Sequence, residues 1–470
     1  MRFKTATLGC KVNQYETEWL RTAFIEGGWE DADETSDRTD VDLVVINTCS
    51  VTAESDAKSR KLAARFAKEY PNAEIVMIGC YAASDPDRVA ALPNVSEVVS
   101  DKRRLPEFLR ARGLAPPTSG ASRFSERSRA YVKVQDGCRV GCAYCVIPQT
   151  RPYLQSRPID EILREASATS RAGYREIVLT GIHLGHYGLD FYPPLPDEPT
   201  DETSPPLERY LARQAAVPES DRVDLATLLR ALAKERLDRM RWRIGSLEAV
   251  EVSDRLLDVF EEFADAVCPH FHLSMQSGDD DVLRAMKRRW LSAPYIEKCQ
   301  EIYRRVPDAA LTTDVIVGFP GETDAQFDRT VEVVRALRFS RVHVFRYSAR
   351  PGTIAAAMTN QIPPEVKKER AARLIEAARE EREKFARAFL GREARVVVES
   401  VERDEKGAVV ARGTTDRYYE AETLPTANAT IDQGDVLRVE LVGLRGDVFR
   451  CVVKEIFTSG RTFKELPTFG

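Results

Sequence analysis

The chain has 470 residues, enough for about three domains of ordinary size. Hydrophobic residues make up 43% and charged residues 30%, a balance that excludes a disordered or fibrous protein. The net charge is −5, so bulk charge does not indicate nucleic-acid binding, and any such contact has to come from local patches. No apolar run approaches the ~20 residues that cross a bilayer, and the first residues lack the apolar core of a signal peptide. We therefore expect a cytoplasmic protein with no membrane partner.

The first 112 residues alternate between strand-like and helix-like segments. Strands are predicted at 3–8, 41–47, 74–78 and 97–99, and helices at 13–26 and 53–69. Alternation of this kind predicts a parallel α/β domain with helices packed on a sheet. Residues 113–126 are rich in turn-forming residues and are interpreted as a linker.

A second alternating series occupies residues 127–360. Six strands are predicted, with helical segments between them, at 131–135, 176–180, 241–245, 270–275, 311–317 and 341–347. Six strands with crossover helices predict a partial (β/α)6 barrel in place of a complete eight-stranded one. An insert at about 189–222 has seven prolines and many acidic residues, and we interpret it as a surface excursion without an assigned role.

The remainder of the chain contains two segments with different sequence patterns. In residues 361–390, two prolines at 363 and 364 are followed by a stretch dominated by Ala, Arg, Glu and Lys, which predicts one long connecting helix. Residues 391–457 contain short strands at 394–401, 408–412, 436–441 and 450–456, separated by Gly and Asp turns, and predict a small β-barrel. Residues 458–470 form a tail.

The strongest chemical signal is a run of three cysteines, Cys138, Cys142 and Cys145, directly after a predicted strand. In a reducing compartment, cysteines at such spacing indicate metal ligands sooner than disulfides. Three thiolates leave one iron of a [4Fe–4S] cluster open to bind another ligand. The alternatives are a zinc knuckle that lacks its fourth ligand and three cysteines that are close by chance.

Three further cysteines, Cys10, Cys49 and Cys80, are too far apart in sequence for a local metal motif, but each follows a predicted strand. The carboxyl ends of parallel strands share one edge of a sheet, where such folds build their sites. The three thiols are therefore expected to converge and to hold a second cluster with an open iron. The alternative is that they are buried small hydrophobic residues.

These cysteine sets and several other motifs resemble those of known enzymes. The run from Cys138 to Cys145 resembles the motif of the radical S-adenosylmethionine superfamily. The whole chain, over about 1–457, resembles the methylthiotransferases, which join a three-cysteine domain, a radical S-adenosylmethionine barrel and a C-terminal TRAM barrel. The supporting stretches are GCKVNQ at 9–14, LTGIHLG at 179–185, RIGSLE at 243–248, HLSMQSG at 272–278, DVIVGFPGE at 314–322 and YSARPGT at 347–353. The stretch TRPYLQSR at 150–157 departs from the family pattern, since it lacks the usual glycine and closely spaced arginines.

The resemblance implies a function. GCKVNQ is similar to the branch that modifies N6-threonylcarbamoyladenosine, at position 37 of tRNA. The implied reaction is radical methylthiolation of C2 with two [4Fe–4S] clusters and two S-adenosylmethionine molecules. One supplies a methyl group to sulfur held at the N-terminal cluster, and the other is cleaved to the 5′-deoxyadenosyl radical. Implied partners are tRNA and an electron donor such as a flavodoxin or ferredoxin.

Three alternatives remain open. The other family branches act on isopentenyladenosine in tRNA or on an aspartate of a ribosomal protein. A non-catalytic, metal-dependent RNA-binding module is the alternative from another functional class, and it predicts no 5′-deoxyadenosine.

Individual residues carry weaker signals. The resemblance implies that the backbone of Tyr144 contacts the adenine of the cofactor. Gly181 lies in one of the stretches that carry the resemblance. Ser246 and Gln276 lie at predicted strand ends and are candidate cofactor contacts, although such polar residues are as often caps. None of the five histidines is predicted to be a metal ligand, and the remaining cysteines, at positions 268, 299 and 451, are predicted to be structural.

The C-terminal segment 391–457 has ten basic and 13 acidic residues, so its charge does not support phosphate binding. Small β-barrels can bind nucleic acid through arginine and aromatic stacking. Arg412, Arg417, Tyr418 and Tyr419 are such a group, and a solvated loop explains them equally well. The RNA prediction therefore depends on the resemblance.

Overall fold

The structure is a computed structural model that describes residues 1–34, 40–118, 120–121, 127–196, 198, 206–237, 239–403, 407–426 and 429–459. Residues 35–39, 238, 404–406 and 427–428 lie outside these ranges, and so do parts of three other predicted segments. They are 119 and 122–126 of the linker, 197 and 199–205 of the insert, and 460–470 of the tail.

The N-terminal part is a parallel sheet with helices on it. Its strands are β1 (Arg2–Thr7), β2 (Glu30–Asp31), β3 (Leu43–Thr48), β4 (Glu74–Gly79) and β5 (Val95–Val99). Its helices are α1 (Lys11–Glu26), α2 (Ala53–Glu69), α3 (Cys80–Ser84), α4 (Pro86–Ala90) and α5 (Leu105–Arg110). The strand order is β2-β1-β3-β4-β5, and all pairs are parallel. Strand β3 is buried along its whole length, which explains its apolar sequence without alternation.

The middle part is the partial barrel. Its strands are β6 (Ala130–Asp136), β7 (Gln155–Ser156), β8 (Glu176–Gly181), β9 (Arg241–Ile244), β10 (Ser246–Leu247), β11 (His270–Leu273), β12 (Ala310–Val317) and β13 (Arg341–Arg346). Its helices are α6 (Ile147–Thr150), α7 (Ile159–Arg171), α8 (Leu207–Ala215), α9 (Leu225–Lys234), α10 (Asp254–Glu262), α11 (Asp280–Ala285), α12 (Ser292–Arg305) and α13 (Asp324–Ala336).

The six predicted barrel strands are confirmed, and they occur in chain order. Strands β6, β8 and β9 form one parallel sheet, and β11, β12 and β13 form another. The two sheets meet where the Cys268 backbone N–H donates to the Trp242 carbonyl at 2.8 Å. The two-residue strands β2, β7 and β10 were not predicted, because they are too short to show a period.

The predicted insert carries a helix. Helix α8 packs Leu207 and Tyr210 against Leu154 and Leu189 in a small apolar cluster of its own. The insert is therefore anchored to the barrel on its apolar side.

The C-terminal part follows a long helix, α14 (Pro364–Ala388). Its strands are β14 (Glu393–Arg403), β15 (Val409–Thr415), β16 (Glu420–Thr423), β17 (Val436–Arg445) and β18 (Val448–Phe457). They close into a barrel in the order β14-β15-β16-β18-β17. The predicted small β-barrel is confirmed, but the sequence analysis missed β16, a short strand that closes the barrel by pairing with β15 and β18.

The three parts contact one another through buried groups. Tyr15 of α1 joins the apolar core of the partial barrel, and Ala310 of β12 packs in the core of the C-terminal barrel. Arg243 of β9 donates to the backbone carbonyls of Thr415 and Asp416, both at 3.0 Å. Among the helices that the structure describes, none combines the length and apolar character needed to cross a membrane.

Candidate metal centre

The loop after β6 carries Cys138, Cys142 and Cys145, all partly buried and none in a disulfide. The loop turns tightly, because the Cys145 N–H donates to the Cys142 carbonyl at 3.0 Å. Gly137 has a φ of 79°, and a Cβ there would lie 1.9 Å from the Tyr153 carbonyl oxygen, so only glycine fits. Local backbone geometry therefore sets the position of the first cysteine.

A buried arginine approaches the second cysteine of this loop. Arg288 Nη1 lies 3.2 Å from Cys142 Sγ and 3.1 Å from Tyr144 Oη. Its Nη2 forms an ion pair of 3.0 Å with Glu248 Oε1. Burial raises the pKa of the Cys142 thiol, and the Arg288 guanidinium acts against that shift. A cation at this place stabilises the thiolate that a metal requires.

A histidine approaches the first cysteine. His183 Nδ1 is 3.6 Å from Cys138 Sγ, and its Nε2 is 2.5 Å from Glu251 Oε1. Burial alone lowers the pKa of His183, but Glu251 and Cys138 raise it well above its usual value. The imidazolium therefore places a second positive charge beside the cysteine loop.

The N-terminal cysteines lie at one edge of the first sheet. Cys10 follows β1, Cys49 follows β3, and Cys80 begins α3 directly after β4. Strands β1, β3 and β4 are adjacent in the sheet, so their carboxyl ends bring the three residues to the same edge. Cys10 is exposed, whereas Cys49 and Cys80 are buried.

Close backbone approaches hold this edge together. A Cβ on Gly9, whose φ is 107°, would lie 2.9 Å from Cys49 Cβ. Lys102 Nζ donates to Cys80 Sγ at 3.5 Å. Burial alone raises the pKa of Cys80, but Lys102 and Arg151 together hold it below its usual value. These two cations therefore favour the thiolate of Cys80, whereas burial raises the pKa of Cys49.

Arg151 connects the two cysteine sets. Its backbone carbonyl accepts a hydrogen bond from the Cys138 N–H at 3.4 Å. Its side chain binds Asn13 Oδ1 at 3.0 Å and Glu16 Oε1 at 2.8 Å in α1, and Asp136 Oδ1 at 2.6 Å at the end of β6. The stretch that departs from the family pattern thus supplies the arginine at the contact between the first domain and the barrel.

Neither cysteine triplet has the close spacing that a single zinc ion requires. Among the described residues, the groups of three possible ligands with all atoms within 4.8 Å of one another are Cys138/His183/His186, His272/Asp314/His343 and His183/Glu248/Glu251. Neither cysteine triplet is among them. A zinc ion with Zn–S bonds of ~2.3 Å draws its sulfurs closer together than this, whereas a cube of four irons holds them farther apart.

The other predicted site residues occupy separate places on the partial barrel. Gly181 ends β8, where a Cβ would lie 3.0 Å from Gln135 Oε1. Ser246 is exposed in β10. Gln276 has a φ of 69°, and its N–H donates to the Asp314 carbonyl at 2.8 Å. A left-handed backbone is uncommon outside glycine and is frequent at binding sites.

The four residues considered for RNA binding do not form one face. Arg412 pairs with Glu402 and Glu422, and Arg417 pairs with Asp308 and Asp416. Tyr419 is buried among apolar side chains, and Tyr418 stacks on His270 of the partial barrel. The tyrosine rings pack against other side chains, which does not fit a solvated loop, and the prediction that this barrel contacts RNA remains a prediction.

Several residues of the site were missed from the sequence. They are Arg151, Lys102, Arg288, Glu248, His183 and Glu251. His183 and Glu248 lie in stretches that carry the family resemblance, which was the available signal. Arg288 lies 146 positions from Cys142, the cysteine that it approaches, and no local pattern marks it.

Comparisons with known proteins find relatives over most of the chain. The profile of the Radical SAM superfamily matches residues 132–334, and that of the uncharacterized protein family UPF0004 matches residues 2–100. The chain is 34% identical to the threonylcarbamoyladenosine tRNA methylthiotransferase MtaB of Bacillus subtilis (strain 168), over 88% of each chain. It is 32% identical to the protein of the same name from Thermotoga maritima, over 84% of this chain and 85% of the relative.

A relative with another substrate and a solved structure are also similar. The chain is 32% identical to the tRNA-2-methylthio-N(6)-dimethylallyladenosine synthase of Corynebacterium jeikeium, over 85% of this chain and 76% of the relative. The radical S-adenosylmethionine methyltransferase TsrM of Kitasatospora setae superposes with a TM-score of 0.52 at 13% identity, covering 76% of this chain and 77% of that one. The structural likeness concerns the fold alone.

Proposed function

We infer the reaction of this chain from its family, because the chain belongs to the methylthiotransferase family of radical S-adenosylmethionine enzymes. The proposed reaction is methylthiolation of C2 of N6-threonylcarbamoyladenosine at position 37 of tRNA. Such an enzyme uses a [4Fe–4S] cluster and S-adenosylmethionine. The observation that carries the proposal is the pair of cysteine triplets on neighbouring edges, connected by Arg151. Two cluster sites at one contact suit a reaction that needs both a radical and a sulfur donor.

In this proposal the two triplets have different roles. Cys138, Cys142 and Cys145 would hold the cluster that binds S-adenosylmethionine. Cys10, Cys49 and Cys80 would hold a second cluster, which would supply the sulfur for transfer. When bound, the first cluster and its S-adenosylmethionine supply the radical needed to break an unactivated C–H bond, which acid–base side chains cannot break.

The protein's own side chains prepare this site. Arg288 and His183 neutralise the thiolates of Cys142 and Cys138. Tyr144, Gly181, Ser246 and Gln276 are proposed to contact S-adenosylmethionine. Arg151 places a buried, ion-paired side chain at the contact between the first domain and the barrel.

The substrate branch has one specific competitor. Relatives named for threonylcarbamoyladenosine and for dimethylallyladenosine are 34% and 32% identical to this chain, so identity alone separates them little. The GCKVNQ stretch at 9–14 favours the threonylcarbamoyl branch by resemblance. A methylthiotransferase acting on dimethylallyladenosine (isopentenyladenosine) in tRNA is therefore the second candidate.

The deciding experiment is nucleoside mass spectrometry of total tRNA from the host with and without the gene. We expect 2-methylthio-N6-threonylcarbamoyladenosine to disappear and its unthiolated precursor to accumulate. Complementation with wild type or with Cys299→Ala should restore the product, and complementation with Cys142→Ala should not. Loss of the isopentenyl product would favour the second candidate, and an unchanged profile would refute both tRNA assignments and favour a ribosomal protein.

Two partners complete the proposal. The tRNA enters through the face where the partial barrel meets the C-terminal barrel, and a flavodoxin or ferredoxin supplies the electron in the cytoplasm. Reduction by the host's flavodoxin in place of dithionite, followed by detection of 5′-deoxyadenosine, tests the donor.

A further inference from the structure

A tyrosine of the C-terminal barrel faces the partial barrel. Tyr418 lies on the turn between β15 and β16, with a φ of 62°. Its ring stacks on His270 of β11 with 4.8 Å between the ring centroids. A left-handed backbone at a bulky residue is an outlier that persists only where the surroundings hold it. The position of this ring is therefore specified by the contact between the two barrels.

Four cations surround this ring. Lys11 Nζ is 5.6 Å from its centroid, and the guanidinium carbons of Arg129 and Arg243 are 5.6 and 5.4 Å away. Burial alone raises the pKa of Tyr418, but these three cations and Arg341 lower it below its usual value. The positive potential at the ring is therefore strong enough to overcome the effect of burial.

Only two of the four cations have carboxylate partners. Arg129 Nη2 pairs with Glu399 at 2.9 Å, and Arg243 Nε pairs with Glu176 at 2.8 Å. Within the described part of the chain, neither Lys11 nor Arg341 has an ion pair or a side-chain hydrogen bond. Arg341 lines a cavity at this place, and the side chain of Lys11 is partly exposed beside it. The cluster therefore has two positive charges available to an anion.

A cavity opens beside this cluster. It has a volume of 440 Å³, lies between the partial barrel and the C-terminal barrel, and is lined by Arg129, Arg341 and Tyr418 among others. Its acidic residues include Glu422, which Arg412, Arg445 and Arg450 already neutralise, and the exposed Glu420. The volume accommodates a group of amino-acid size.

We propose that Lys11 and Arg341 bind the carboxylate of the N6 substituent of the target adenosine, and so select threonylcarbamoyladenosine over adenosines with an apolar or no substituent. This inference rests on the proposed function, since the threonylcarbamoyl group carries the required carboxylate and an isopentenyl group has no charge. Lys11 directly follows Cys10 in the chain, so its backbone is joined to a residue of the N-terminal cysteine triplet. Charge-assisted hydrogen bonds to a partly buried carboxylate are strong enough to discriminate substrates.

The same two cations can also bind an RNA phosphate, and the test separates the two sources. Three anticodon stem–loops of one sequence carry threonylcarbamoyladenosine, isopentenyladenosine or unmodified adenosine at position 37, and a fourth carries the methyl ester of the threonylcarbamoyl group. Binding is measured by fluorescence anisotropy under anaerobic conditions at one salt concentration. The proteins are the cluster-loaded wild type, Lys11→Gln, Arg341→Gln and the control Lys58→Gln, which changes an exposed lysine of α2.

We expect wild type to bind the threonylcarbamoyl RNA more tightly than the other three. Lys11→Gln and Arg341→Gln should each weaken that complex by roughly 10-fold, the value for one charged hydrogen bond, and change the other complexes by less than about 2-fold. Iron content and 5′-deoxyadenosine formation should equal those of wild type, which separates a lost ligand contact from a lost cluster. Lys58→Gln should behave as wild type.

Four results would overturn the proposal. Equal weakening of all four complexes would assign the cations to a phosphate, and unchanged binding would exclude both sources. If wild type itself does not prefer the threonylcarbamoyl RNA, the proposed function fails together with the inference. A wild-type preference that survives in both variants would refute the inference alone.

Discussion

Arg151 and Glu16 form a buried ion pair between the partial barrel and the N-terminal domain, with 2.8 Å between Nη1 and Oε1 and both side chains 2% exposed. Asp136 shares the guanidinium, and Lys133 approaches Glu16 at 3.2 Å. The Arg151 pKa is raised well above its usual value, because Asp136 and Glu16 outweigh the effect of burial. The two cysteine triplets therefore depend on one shared network for their relative position.

Replacing Arg151 should loosen this interface. Arg151→Met leaves Glu16 and Asp136 buried with fewer cations, and removal of one partner of a buried pair typically costs 3–5 kcal/mol, so we expect about 3 kcal/mol. The measurement is anaerobic urea unfolding of the cluster-loaded protein, followed by far-UV circular dichroism. Arg164→Met removes an exposed pair with Asp160 and should cost less than about 0.5 kcal/mol. Equal effects of the two variants would show that the buried network does not join the domains.

Gly79 controls the position of Cys80. Its φ is 100°, and a Cβ there would lie 2.3 Å from the Thr48 carbonyl oxygen and 2.4 Å from the Thr48 nitrogen. Gly79→Ala should therefore displace the end of β4 and lower iron content by about half, because Cys80 no longer reaches its cluster. Gly28→Ala is the matched control, since Gly28 also has a positive φ, 80°, but a Cβ there meets nothing within 4 Å. That control should cost only about 1 kcal/mol of backbone strain and keep its iron.

The two triplets should be separable by iron content and by reaction. Wild type is expected to hold about eight iron atoms per chain, and Cys49→Ala and Cys142→Ala about four each. Cys49→Ala should still form 5′-deoxyadenosine from S-adenosylmethionine without methylthiolating RNA, whereas Cys142→Ala should form none. Cys299→Ala, which changes a buried cysteine of α12, is expected to retain both activities. A Cys49→Ala protein with undiminished iron would contradict the second cluster.

Glu18 should make stability depend on pH. Burial raises the pKa of this carboxyl to about 7, Arg21 opposes the shift, and Asp31 adds to it. The folded state therefore binds more protons than the unfolded state between pH ~4.5 and ~7, so the contribution of Glu18 to stability falls as pH rises through this window. At pH 8 the ionised carboxylate is an unfavourable buried charge.

Glu18→Gln removes that charge. Because the side chain is 19% exposed, we expect a gain of about 1 to 2 kcal/mol at pH 8, less than the full shift implies, and almost none at pH 5. Thermal unfolding at the two pH values measures the difference. Glu26→Gln, at an exposed position of the same helix, should stay within about 0.5 kcal/mol of wild type at both. A gain that is equal at pH 5 and pH 8 would contradict this explanation.

Local sequence was sufficient for the parts of the fold that repeat along the chain. Buried parallel strands such as β3 appear as apolar runs, so six barrel strands could be counted without coordinates. The cysteines after β1, β3 and β4 were expected at one sheet edge, because parallel strands end on the same side. The four residues of β16 have no such pattern, and only closure of the C-terminal barrel defines them as a strand.

Only the tertiary structure decided which charges meet. Arg288 reaches Cys142, Arg151 reaches Glu16, and Lys11 lies over the ring of Tyr418, a pair separated by 407 positions in the chain. The spacing of apolar residues and the residue types that favour turns are local properties, so a sequence determines them directly. Electrostatic contacts depend on distances in space, and those distances exist only once the three parts of the chain have packed together.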